Sequence, residues 1–131
     1  MIIQKLHIKK YNWRIVILYE VTVEHLKYVL KILNEMDADE EAKEAATRNI
    51  SANKYNTGFI YSNYINKQSV IVIGKADSSE QLLNTIAHEA NHLETHISKV
   101  FGFSQAGEES CELIGYIMQR MSAVFKKLLC Q

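Results

Sequence analysis

The sequence predicts an α+β fold with a small antiparallel or mixed sheet, and three observations carry that expectation. Two pairs of short β-branched segments are separated by polar turns. Four longer stretches place apolar residues at helical spacing. No proline, repeat or low-complexity linker divides the 131 residues. The resulting order is strand, strand, helix, helix, strand, strand, helix, helix, hence α+β. A chain that is 47% hydrophobic and 23% charged fits one domain, spanning 1–131, with an ordinary core.

Residues 2–8 and 14–21 are rich in β-branched and aromatic side chains, and Lys9-Lys10-Tyr11-Asn12 between them reads as the turn of a hairpin. From Val23, the apolar residues Leu26, Val29, Leu30, Leu33 and Met36 recur at helical spacing, with Thr22 able to cap the start. They predict an amphipathic helix packed on the sheet. Residues 37–53 are charged and contain alanines, which fits a second, more exposed helix. The acidic run Asp37-Ala38-Asp39-Glu40-Glu41 reads as that helix's solvated N-terminus, where carboxylates favour the dipole, in preference to a cation site.

Residues 58–65 and 69–74 are the next strands, joined near Asn66-Lys67. Residues 70–74 are expected to pair antiparallel and to form an exposed edge beneath the helix after them. Asp77, with Glu80 three residues on, is the expected N-cap of that helix. Leu82, Ile86, Ala90, Leu93, Ile97 and Val100 form its apolar stripe, and Gly102 is its expected stop. A last helix runs from Glu108 to about Leu129, with Ile114, Ile117, Met118, Met121, Phe125 and Leu128 facing the core.

Lys+Arg and Asp+Glu balance at 15 each, and the basic residues are scattered. That leaves no electrostatic footprint for nucleic acid or an anionic membrane. The N-terminal residues alternate polar and apolar, and no apolar run approaches membrane-spanning length, so a cytosolic protein is expected. Cys111 and Cys130 lie too far apart along one helical segment to meet and are read as reduced. Asn49-Ile50-Ser51 matches a glycosylation sequon, which has no meaning without secretion.

The strongest chemical signal is His88-Glu89-Ala90-Asn91-His92, an HExxH motif. On a helix, residues four apart share a face with Cβ atoms about 5–6 Å apart, so both imidazoles can grip one zinc ion while the adjacent Glu activates water. The two histidines lie to one side of the apolar stripe, with Glu89 between the two faces, as a cleft-lining site requires.

Catalytic zinc takes three protein ligands, and the candidates for the third are Glu108, Glu109, Glu112 and His96. Glu108 and Glu112 share a face of the last helix, and Glu109 points about 100° aside. The segment from Gly102 to Glu108 spans up to roughly 20 Å when extended, enough to return to the motif. His96 continues the histidine row, but three residues at i, i+4 and i+8 climb about 12 Å, too far to surround one ion. It reads as a surface or cleft-rim histidine. His7 and His25 read as structural or exposed. Tyr116, two turns beyond Glu108, is either an oxyanion donor or a core tyrosine with its hydroxyl at the surface. Cys111 sits beside carboxylates with no basic neighbour, a poor setting for a ligand or nucleophile.

The pattern His88-Glu89-x-x-His92 followed by Glu108-x-x-Cys111-Glu112 resembles the gluzincin metallopeptidases. It is also similar to the small metallopeptidase-like proteins of bacterial tailed phages, whose closing helix carries an acidic cluster and a Gly-Tyr pair, here Gly115-Tyr116. The likeness covers roughly residues 58–119. Cys111 stands where the family usually has Ala, and Glu112 where it usually has Asp. The resemblance implies a minimal zincin-like fold with Zn2+ held by His88, His92 and Glu108, Glu89 as general base, and Glu112 orienting a ligating imidazole. It implies peptide-bond hydrolysis on a peptide or protein substrate and, for a phage-encoded chain, a place in the host cytoplasm. Two other classes stand beside it: a zinc-binding phage structural or interaction module with little or no turnover, and a metal-free helical protein with a coincidental motif.

Overall fold

The computed structural model describes residues 1–129. Strands β1 (Ile2–Ile8) and β2 (Trp13–Val21) form the expected antiparallel hairpin, turned by a 3-10 segment at Lys9–Tyr11 and by Asn12 in the left-handed region at φ 49°. Thr22 caps the next element, a 3-10 turn at Val23–His25, and the reciprocal partner is His25, whose Nδ1 accepts the Thr22 amide at 2.9 Å. That turn leads directly into helix α1 (Leu26–Glu35). Helix α2 (Glu40–Ser51) starts where the acidic run predicts, with Asp39 accepting the Ala42 amide at 2.8 Å.

Strands β3 (Gly58–Asn63) and β4 (Gln68–Gly74) pair antiparallel, and the sheet order is β1-β2-β4-β3. Because β4 also pairs parallel with β2, the sheet is mixed. This corrects the expectation that residues 70–74 form an exposed edge: β4 is an inner strand, and β3 is the edge on that side. The physical reason lies in the composition of the strand. Val70-Ile71-Val72-Ile73 is an unbroken apolar run, the pattern of a strand covered on both faces, and all four residues are buried.

Those two faces have separate cores. Trp13, Ile15, Ile17, Ile71 and Ile73 point toward helices α3 (Ser79–Phe101) and α4 (Glu108–Leu129). Leu18, Val70 and Val72 point toward α1 and α2. A bulge between Leu18 and Val21, with Glu20 at φ 57°, turns Val21 onto the second face. The molecule is therefore three layers, with α3 and α4 packed against each other over one side of the sheet.

Helix α3 is capped by Ser78, whose hydroxyl accepts the Gln81 amide at 3.1 Å, one residue later than the Asp77 expected from sequence. Ser78 is the residue with extended backbone (φ −157°, ψ 162°), from which a short side chain reaches back to the first-turn amides. Gly102, at φ 74°, ends α3 as expected. Cys111 is free and exposed, whereas Cys130 lies outside the described residues. Among the described residues no helix is long and apolar enough to cross a membrane.

Candidate metal centre

Helix α3 and edge strand β3 run side by side. An added Cβ at Gly58, the first residue of β3, would sit 2.7 Å from Glu89 Oε1, and Ser62 near the strand's end bonds His96. The helix buries Leu82, Ile86, Ala90, Leu93 and Ile97 in the core, whereas Val100, expected in the same stripe, is exposed at the helix end. That leaves His88 and His92 exposed, with their Nε2 atoms 3.1 Å apart and their rings inclined at 74°. Two ligands on a tetrahedral zinc with bonds of 2.0–2.1 Å are separated by about 3.3 Å. The imidazole pair thus has nearly the bite that such an ion needs.

Glu89 points into the helix–strand seam and is 5% exposed. Its Oε2 is the one buried side-chain oxygen or nitrogen, among the described residues, that lacks a hydrogen-bond partner. Burial raises the carboxyl pKa, opposed in part by the charge of His88. A buried carboxylate oxygen left without a partner is costly to keep, and it belongs to the residue that follows His88 and precedes His92 by three. Gly58 makes the room: its missing side chain clears Glu89 Oε1 and Cγ as well as Thr85 Cγ2. The start of β3 is anchored in turn by α2, where Asn49 Nδ2 donates to the Gly58 carbonyl at 3.1 Å.

The remaining sequence candidates lie in different surroundings. His96 is half-buried; its Nδ1 lies 2.7 Å from Ser62 Oγ and its ring meets Tyr64 edge-on at 5.6 Å. Burial, with smaller contributions from His92 and Lys99, lowers its pKa to about 4. It is a neutral histidine of the helix–strand seam, more enclosed than the surface or cleft-rim residue expected from its spacing. Glu109 accepts from the Tyr11 hydroxyl at 2.7 Å and approaches Lys10 Nζ at 3.4 Å. The Tyr11 bond is the main reason its carboxyl pKa falls.

Glu112 and Tyr116 line a cavity with Tyr11 and Glu109, between the β1–β2 turn and α4, and neither histidine of the motif borders it. The Tyr116 hydroxyl accepts from Arg120 at 2.8 Å. No hydrogen bond among the described residues links Glu112 or Tyr116 to the motif. Glu108, the first residue of α4, is exposed and makes no hydrogen bond or ion pair among the described residues. Among the described residues, no group of three His, Cys, Asp or Glu side chains is gathered closely enough to hold a metal ion.

His88 and His92 could supply two ligands to a metal ion, with the Glu89 carboxylate on the intervening turn, and a third ligand is not assembled with them among the described residues. Two contributors escaped sequence reasoning. Gly58 was legible as a glycine inside a strand, which marks a close approach, but nothing in the sequence says what approaches. Ser62 carries no motif at all. No protein-family model, no curated protein and no solved structure matches this chain.

Proposed function

We propose that this protein is a zinc-dependent hydrolase, with peptides as its substrate class, built on His88, His92 and Glu89 in a minimal zincin-like arrangement. The observation that carries the reading is the pairing of two outward imidazole nitrogens 3.1 Å apart with a buried, partnerless carboxylate on the next residue. His88 and His92 would hold the ion, and Glu108 is the acid of α4 proposed as third ligand, since no partner among the described residues holds it elsewhere.

Zinc bound there would supply Lewis-acid polarisation of a substrate carbonyl. The chain's own residues account for the rest. Glu89, with its raised pKa, takes a proton from the attacking water and returns it to the leaving amine. The unpaired edge of β3 offers main-chain donors and acceptors to an extended peptide, which would then lie alongside α3.

One observation favours a second reading, a zinc-binding interaction module with little turnover. The third ligand is not gathered beside the histidines. Two measurements separate the readings: zinc content of protein purified without metal and then titrated, and cleavage of a peptide library by wild type and by Glu89→Gln. The hydrolase reading expects near-stoichiometric zinc in both proteins and cleavage by wild type alone. Zinc without cleavage supports the module, and no zinc removes both.

A further inference from the structure

A file of polar side chains crosses from the sheet to α3 on the same helix as the histidine pair. Trp13 Nε1 donates to Ser69 Oγ at 2.8 Å, Ser69 Oγ is 2.6 Å from Ser62 Oγ, and Ser62 Oγ is 2.7 Å from His96 Nδ1. Ser69 is 1% exposed and Ser62 is 7% exposed, so neither hydroxyl has bulk water as an alternative partner.

The direction of this file follows from one fixed end. An indole nitrogen only donates, so Ser69 Oγ accepts from Trp13 and its own proton needs another acceptor. The single oxygen offered is Ser62 Oγ. Ser62 then accepts from Ser69, and its proton in turn has one acceptor, His96 Nδ1. The opposite direction would leave the Ser69 proton buried without a partner. His96 is therefore neutral, with its proton on Nε2. Among the described residues that nitrogen meets no partner, and it is not enclosed, so it reaches solvent.

We propose that Trp13, Ser69 and Ser62 are positioning residues that hold His96 as a fixed Nε2–H donor, and that this donor binds a carbonyl oxygen of a peptide laid along β3. The proposal rests on the hydrolase reading for its ligand and gives His96 a role distinct from His88 and His92. The latter two present Nε2 to one another; His96 presents its own as an N–H, which cannot ligate a metal. A carbonyl oxygen that gains negative charge during hydrolysis would strengthen that hydrogen bond. Tyr64, edge-on to both Trp13 and His96, flanks the two ends of the file.

Two-bond proton–nitrogen correlation spectra of the imidazoles in the full chain at neutral pH test this directly. The expected result is a single Nε2–H tautomer for His96, unchanged when zinc is added, while the His88 and His92 signals move. Ser62→Ala should convert His96 to a mixture of tautomers, and Ser62→Thr, which keeps the hydroxyl, should restore the single form. An Nδ1–H tautomer, or a His96 signal that moves with zinc as the other two do, overturns the proposal.

In peptide cleavage, His96→Leu should lower kcat about 100-fold with zinc content unchanged, and His96→Gln, which keeps an N–H, should recover part of the loss. Equal kcat for wild type and His96→Leu overturns the carbonyl contact. Absence of cleavage by wild type defeats the hydrolase reading and with it that contact, while the spectra still decide the tautomer.

Discussion

Helix α3 buries two carboxylates, Glu89 at 5% exposure and Glu94 at 2%, and the protein treats them differently. Glu94 faces α4, where Ser110 Oγ donates to its Oε1 at 2.7 Å; the same hydroxyl accepts the Ala106 amide at 3.3 Å. It is a joint between two helices and the loop that links them. Glu89 faces edge strand β3, where a glycine has been placed against it, and its Oε2 has no partner. A satisfied buried carboxylate organises structure; one left unsatisfied on the residue after His88 is the feature on which the proposed chemistry rests.

The largest expected effect removes the setting of Glu89. His88→Ala or His92→Ala should each take zinc stoichiometry from near one toward zero, since a two-imidazole grip does not survive the loss of half its nitrogens. Equilibrium dialysis followed by elemental analysis measures it. Full retention of zinc in both variants would rule out the site and leave Glu89 as an unexplained cost.

The two carboxylates should then respond to the same substitution with opposite signs. Burial raises the pKa of Glu89, so the stability linked to it is present at acid pH and is lost as pH rises past the ordinary carboxylate range. Glu89→Gln should accordingly stabilise the metal-free protein at pH 7 by about 1–2 kcal/mol while abolishing the proposed hydrolysis. Glu94→Gln puts an amide donor into the buried joint in place of a carboxyl oxygen, and should destabilise by about 1–2 kcal/mol. Urea midpoints give both values on one scale; a shared sign would break the comparison.

Gly58→Ala probes the seam without touching a charge. The new methyl would meet Glu89 and Thr85 at 2.7–3.0 Å, which forces the carboxylate out of place. A loss of about 1–3 kcal/mol is expected from overpacking. Zinc binding should survive and cleavage should not, because the added atom meets Glu89 and Thr85 and neither imidazole.

His96 supplies the opposite pH dependence to Glu89. Its pKa is lowered from the usual imidazole value to about 4, so the stability it contributes is present above about pH 6.5 and is lost as pH falls toward 4. After discounting for its partial exposure, the loss should be on the order of 2 kcal/mol. His96→Gln should flatten this part of the urea-midpoint profile between pH 7 and 4. An unchanged profile would show that the ring is already solvated.

Much of this arrangement was legible in the chain, for identifiable reasons. Helical periodicity and capping residues are local signals, so α4 and the end of α3 at Gly102 fall where the spacing puts them. Strand order is not local. Reading residues 70–74 as an edge overlooked that an unbroken apolar run needs cover on both faces, which β4 receives from the two helix layers. The HExxH spacing sets the His88–His92 contact because one helix holds both residues. The position of Glu108 relative to them depends on how α4 packs, which the Ser110–Glu94 contact sets and no motif encodes.

That packing leads to the smallest expected effects, on the acids of α4. Glu109 is engaged by Tyr11 and Lys10, and Glu112 lines the cavity near Tyr11, so both belong to a part of the molecule that neither imidazole borders. Glu109→Ala and Glu112→Ala should each change zinc affinity less than tenfold, below the 10–100-fold that loss of a residue orienting a ligating imidazole typically costs. Glu108→Ala is the contrasting control: as the proposed third ligand it should weaken binding well beyond either. Competition with a zinc chelator ranks the three. A dominant effect of Glu112→Ala would mean that α4 turns its cavity-lining face to the histidines when the ion binds, and the division of α3 into a structural and a chemical side would then hold only for the metal-free protein.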